Sequence, residues 1–282
     1  MARVAEISLV KTVFRIYGNK QLRRAANNLL AVIARHFFFP QHRAALLPGR
    51  IPVTDVDHRL DRHIPFAPGH VNTYLDFIPS WIRMTGFLFS RYGRGAIPDT
   101  LHFITAMTRL YRFAAEVYRA HFSTTNRPRY YGKTRFVIIH LTDPHLMCIP
   151  SLHVMIVLYT WTAFRAIAAR RGDGARLAEA VDEVFTRACA ITEAVLYVKQ
   201  HSLNCVSAAL YAITRFPGGL FSEEDAARFA ARLFTGPAAP KERAEIRDYI
   251  LFRYRAFLAA ARPGADWKEP LLAFLREPQA QE

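Results

Sequence analysis

Cysteine is scarce in this chain. Cys148, Cys189 and Cys205 are the whole supply in 282 residues. Three are too few for a disulfide framework, and no CxxC or Cys/His pair has the spacing of a structural zinc site. Acidic residues are also short: Asp+Glu number 23 against 38 Lys+Arg, a formal net charge of +15. No internal repeat or low-complexity tract is present. Period-two alternation is rare, a short apolar run at 136–139 aside, which argues against a sheet-based fold. Long charge-free stretches are nearly missing too. Only 144–164 has no Asp, Glu, Lys or Arg, and Pro150 with His145 and His153 interrupts it as a membrane span. Arg3, Glu6, Lys11 and Arg15 break up the first twenty residues, so no cleavable signal peptide is expected.

What is present is apolar and aromatic. Hydrophobic residues make up 51% and aromatics 13%, which excludes wholesale disorder. The length suffices for a core without covalent staples. The mean hydropathy of +0.03 is high for a soluble chain and low for a polytopic membrane protein. Charge is unevenly placed. From residue 217 onward ten basic residues meet ten acidic ones, so the whole excess sits in residues 1–216. Such a field attracts polyanions, anionic lipid or phosphorylated substrates.

Helical periodicity dominates. Val4, Ile7, Val10, Val13, Phe14 and Tyr17 recur at helical spacing with basic residues between them. That pattern suits a helix lying on an anionic membrane or one packed on its own domain. A second apolar stretch runs to Phe37–Phe39 and ends at Pro40; 41–66 reads as loop. Residues 70–92, 99–122, 151–170 and 175–216 read as helix, with a basic loop at 123–135. Ser222-Glu223-Glu224-Asp225 is an N-cap with acids in the first turn. A further helix is expected from Pro240 to near Pro263-Gly264, with Ile246, Ile250, Leu251, Tyr254 and Leu258 in register. The expected fold is all-α: basic amphipathic helices at 1–39, a helical bundle at 40–216, and amphipathic helices at 217–282 packed on it.

Two stretches place a histidine inside an otherwise apolar segment: Cys148-Ile149-Pro150-Ser151-Leu152-His153-Val154, and Val198-Lys199-Gln200-His201-Ser202-Leu203-Asn204-Cys205. Taken with Arg127-Pro128, they resemble the motifs of the type 2 phosphatidic acid phosphatase superfamily: K-x6-R-P, P-S-x-H and S-R-x5-H-x3-D. The likeness is closest to the branch that includes inositol phosphorylceramide synthases. There the second motif carries Leu and the third reads T-K-Q-H-Y. Leu60-Asp61-Arg62-His63-Ile64-Pro65-Phe66-Ala67-Pro68, followed by Tyr74-Leu75 and Pro79, is similar to the segment that precedes the motifs in that branch. The likeness spans about residues 55–215.

The resemblance implies a helical bundle that dephosphorylates a lipid phosphate, or transfers its phosphoryl head group, without a metal ion or other cofactor. His201 would be the nucleophile and form a phosphohistidine; His153 would protonate the leaving oxygen. Arg127, Ser151 and Lys199 would bind the substrate phosphate. A lipid substrate implies a membrane-associated or integral protein that meets an anionic membrane surface. The pattern departs at three places: Ala120 stands where the first-motif Lys falls, Val195 where the third-motif Arg falls, and Cys205 where the Asp that orients the nucleophile falls. These losses favour, as the alternative, a non-catalytic lipid-phosphate binder. Asp55, Asp57, Asp61, His58 and His63 cluster as a divalent-metal site would, but Arg59 and Arg62 among them oppose it. Tyr130-Tyr131 among Arg127, Arg129, Lys133 and Arg135 has the look of a nucleic-acid patch. No recognised nucleic-acid module surrounds it, and a nucleic-acid partner is not favoured.

Overall fold

The structure is a computed structural model, and it describes residues 3–47, 49 and 51–277. It is all-α. The N-terminal pair is α1 (Leu9–Gly18) and α2 (Lys20–Ile33), each opened by a side-chain cap. Ser8 accepts from the Lys11 N–H, and Asn19 from the Gln21 and Leu22 N–H groups. After α2 the ladder widens into a π turn at Ala34–Phe38 and tightens again as α3 (Phe39–Leu46). Pro40 lies at the start of α3. It has no N–H to continue the regular ladder, and the Phe39 N–H reaches back to the Ala34 carbonyl.

A short strand β1 (Val53–Asp55), α4 (Val71–Tyr74), α5 (Phe77–Tyr92) and α6 (Ile97–Tyr118) follow. β2 (Phe122–Thr124) pairs parallel with β1, Thr54 opposite Ser123. Then come α7 (Thr134–Thr142), α8 (Leu152–Arg170), α9 (Ala178–Tyr197) and α10 (Leu203–Arg215). The last three helices are α11 (Glu223–Arg232), α12 (Arg243–Ala260) and α13 (Glu269–Arg276).

Two local expectations change. The segment expected as loop at 41–66 holds most of α3 and β1, and the alternating run at 136–139 lies inside α7. Four residues are too short a window to separate the two periods. Phe136 and Ile139 are buried at helical spacing while Ile138 faces outward. The helix expected from Pro240 starts at Arg243, and α13 follows it.

α8 is the centre of the molecule, packed by α5, α6, α9 and α10. Among the described residues it alone is long and apolar enough to cross a membrane, with mean hydropathy 1.4 over eighteen residues. Of that window, 78% is buried inside the protein. α2 lies along α6, α1 along α5, and α12 along α10. One apolar core therefore runs from Val4 to Leu275. A smaller cluster of Tyr74, Phe136, Val157, Ile191 and Val195 joins α4, α7, α8 and α9. Asp225 fastens α11 to α8, its carboxylate accepting from both terminal nitrogens of Arg165.

Candidate active site

The two motif histidines meet. Ser151 is the extended residue before α8, and His153 lies in the first turn of that helix. His201 sits in the turn between α9 and α10, 48 residues further along. His153 Nδ1 and His201 Nε2 are 3.1 Å apart. The segments carrying them are tied directly, the Ser151 N–H donating to the Cys205 carbonyl at 3.2 Å. The approach to α8 is held from behind. Ser123 Oγ accepts from the Cys148 and Ile149 N–H groups, and the Tyr118 hydroxyl donates to the Pro150 carbonyl at 2.5 Å. The turn carrying His201 is anchored at Val56, whose carbonyl accepts from Ser202 Oγ and Asn204 Nδ2. Tyr74 and Phe77 wall His153 on its far side, their ring centres 4.9 and 4.4 Å from it.

Ser151 Oγ is buried in this knot without a hydrogen-bond partner, and His201 Nδ1 is buried without one of regular geometry, the Cys148 carbonyl being close enough only to act on its ring. Native interiors rarely leave such atoms unsatisfied; Gln41, Thr100, His140 and Trp161 also carry them, and what sets Ser151 and His201 apart is that theirs lie at one pair of touching imidazoles. The first N–H groups of α8 lie beside Ser151, and helix geometry leaves them without intrahelical acceptors. Together they form a set of donors at a helix N-terminus, where an anion is favoured.

Burial keeps both imidazoles neutral. It pushes His153 down to about 4. It also holds His201 well below the ordinary histidine range. His153 and His145 add to that, and the Cys148 carbonyl opposes it in part. A neutral imidazole has the free lone pair that a nucleophile needs.

The remaining site residues are placed differently. Arg127 reaches the centre through intermediaries. It donates to Gln200 Oε1 and to the Asp143 carbonyl, both at 3.1 Å, and pairs with the Asp143 carboxylate at 3.9 Å. Burial lowers His145 and His140, and the Arg127 charge adds to that. Lys199 turns away: its ammonium donates to the Asp61 carbonyl at 2.5 Å. Arg119, next to the position where the first-motif Lys falls, adds to the burial that lowers His36, and Lys133 and Arg135 are tied to Pro68 and Asn72. Val195 is fully buried in α9. The Cys205 thiol sits 3.3 Å from Ser202 Oγ. Three groups that could stand in for the missing carboxylate are occupied elsewhere: the Asp143 carboxylate by Arg127 and the His145 N–H, Glu193 by the Phe234 N–H, Asn204 by Val56 and Tyr249. The acids at 55–61 serve the backbone. Asp57 accepts from the Asn126 N–H, and Asp61 from the His58 and Leu203 N–H groups.

His145 belongs to the site and is not singled out as a site residue from sequence. It is buried, at positive φ (63°), with Nε2 2.6 Å from Thr125 Oγ1, and burial pushes it down to about 3. Lys199 also has positive φ (55°). Strained non-glycine backbone collects at functional sites. The signal for His145 was its place as one of the two histidines in the charge-free run.

No family model matches the chain, and neither the curated proteins nor the solved structures yielded a match.

Proposed function

We propose that this protein is a metal-independent phosphatase or phosphotransferase acting on a phosphate ester, lipid phosphates being the class its motifs point to. The observation that carries the reading is the contact between His153 and His201, with Ser151 Oγ unpartnered beside it and His201 Nδ1 lacking a partner of regular geometry. The imidazoles bond each other, and on this reading a phosphoryl group enters between them. Its oxygens take up the Ser151 hydroxyl and the N–H groups that open α8. The negative charge raises the affinity of the pair for a proton, so that one imidazole is charged while the other stays neutral.

His201 Nε2 then donates its lone pair to phosphorus as the bond to the leaving oxygen breaks, and His153 gives that oxygen its proton. In the second half, neutral His153 takes a proton from water or from an acceptor alcohol. The oxygen attacks phosphorus and the N–P bond returns its electrons to His201. Water yields inorganic phosphate; an alcohol yields a new ester. Arg127 supports the site through Gln200 and Asp143.

The test is phosphate release from a panel of phosphate esters in EDTA, with trapping of an acid-labile phosphoprotein. Turnover and label are expected in the wild type. Both are expected to fall at least about 10³-fold in His201→Ala, while His153→Ala retains label only with an activated leaving group. Turnover that survives His201→Ala would sink the reading. A second reading, phosphate binding without turnover, draws on one feature. His201 Nδ1 has no orienting carboxylate where the resembled family places Asp. Phosphate protection of the histidine resonances without ester cleavage would favour it.

A further inference from the structure

α1 is docked back to front. Thr12 and Ile16 are its buried residues, and Thr12 meets α5 where Gly86 leaves room. A Cβ at Gly86 would stand 2.1 Å from Thr12 Oγ1 and 2.5 Å from Ile7 Cγ2. The apolar stripe of the helix, Val10, Val13, Phe14 and Tyr17, points the other way. These residues are 65%, 39%, 74% and 36% exposed. Spacings of three and four put them on one face. The same N-terminal segment exposes Phe39 (70%) and Leu46 (80%) on α3. Soluble chains rarely leave contiguous large apolar side chains in water, and such patches mark interaction surfaces.

The charge around the stripe selects its partner. Residues 1–47 carry eight Lys and Arg and one acid, Glu6. Lys11 and Arg15 flank the stripe on α1, followed by Lys20, Arg23 and Arg24. All are exposed. Among the described residues none of these five has a carboxylate within 4.0 Å. A second copy of the chain would bring two such cationic faces together. A nucleic acid would leave the apolar stripe in water. An anionic bilayer satisfies both at once: phosphates for the cations, and the acyl boundary for Phe14 and its neighbours. Phe14, at 74% exposure, has no protein wall beside it, which suits a deformable surface better than a protein groove.

We propose that α1 is an in-plane membrane anchor that holds the protein on the surface of an anionic bilayer by its outward apolar stripe. The bundle stays outside the hydrocarbon, and α8 remains the buried core helix it is here. This inference goes beyond the phosphoester chemistry and does not depend on it.

The test is flotation of the full chain with phosphatidylcholine vesicles, with and without phosphatidylserine. The variants are Val13→Asp/Phe14→Asp and Lys11→Glu/Arg15→Glu, with circular dichroism to confirm folding. The exposed positions make loss of fold unexpected. The wild type is expected to float with the anionic vesicles only. The apolar variant is expected to lose about tenfold or more in partitioning, and the charge variant about fivefold or more per residue. His201→Ala is expected to bind vesicles like the wild type, so failure of the proposed chemistry leaves this result readable. Three outcomes would overturn the anchor: no wild-type flotation, flotation indifferent to Val13→Asp/Phe14→Asp, or a dimer abolished by that variant without vesicle binding, which reassigns the stripe to a second copy. Resistance to carbonate extraction in the apolar variant would also overturn it, as the mark of an integral protein.

Discussion

α1 and α12 carry the same kind of sequence and face opposite ways. In α12, Ile246, Ile250, Tyr254 and Phe257 recur at helical spacing, and all four are buried against α10 and its neighbours. In α1, the apolar stripe Val10, Val13, Phe14 and Tyr17 lies in solvent, while a threonine and an isoleucine make the docking contact. Periodicity reports which side chains share a face. It does not report whether protein covers that face. α12 arrives beside α10, which offers it an apolar surface. α1 arrives beside α5 at Gly86, where a threonine fits and a large side chain does not.

The sharpest break of this comparison is truncation on the two stripes. Ile250→Ala empties a fully buried site and is expected to cost about 2–5 kcal/mol of unfolding free energy. Val10→Ala is expected to stay within about 0.5 kcal/mol. Denaturant titration of both variants reads the difference, and equal costs would mean that α1 is covered as α12 is.

The second break is by pH. The C-terminal half is wired to buried titratable groups. Asp61 accepts the Leu203 N–H at the start of α10, and Tyr249 of α12 donates to Asn204. Burial raises Asp61 from 3.8 to about 7, with Asp57 adding to that and two N–H donors and Lys199 opposing it. The folded state therefore holds a proton there that the unfolded state lacks between about pH 4 and 7. This contribution is fully present below 3.8 and is lost as pH rises through 7. His153 and His145, pushed down from 6.5 to about 4 and about 3, act with the opposite sign. Their contribution is present above 6.5 and is lost as pH falls toward those values. The two sets offset each other on acidification. Asp61→Asn removes one side. It is expected to make the loss of stability from pH 7 to 4 steeper than in the wild type, with about 4 kcal/mol as the ceiling. Hydrogen exchange should register the change in α10 and α12 and leave α1 as it was. A slope unchanged by the substitution would contradict the assignment.

The smallest of the three sharpens the docking of α1. Gly86→Leu forces Thr12 and Ile7 aside and is expected to cost about 1–3 kcal/mol. It should raise protease sensitivity within residues 3–18 while the far end of the chain stays protected. Unchanged cleavage there would mean that α1 does not rely on this contact.

Much of the fold was legible because its signals are local. Ser222 caps α11 as expected, with Asp225 closing a capping box, and the helices near 77–92, 97–118 and 152–170 lie where the apolar spacing put them. α3 was not legible, since Pro40 reads as a breaker and the π turn that accommodates it has no sequence period of its own. Of the site, His153, His201 and Ser151 converge. Arg127 acts through Gln200 and Asp143, and Lys199 is claimed by Asp61. A motif names residue types at intervals along the chain. Where a long side chain ends depends on which acceptor the fold brings within its reach.

Local signals alone located most of the long helices and told which apolar residues share a face, because capping and periodicity act within a few residues. The sequence by itself also confined the positive charge to residues 1–216, and it placed two histidines in apolar surroundings. Packing decided that those histidines touch, that burial keeps three imidazoles neutral, and that the stripe of α1 faces outward. Each of these depends on contact between segments far apart in the chain, and desolvation and contact are properties of the packed whole.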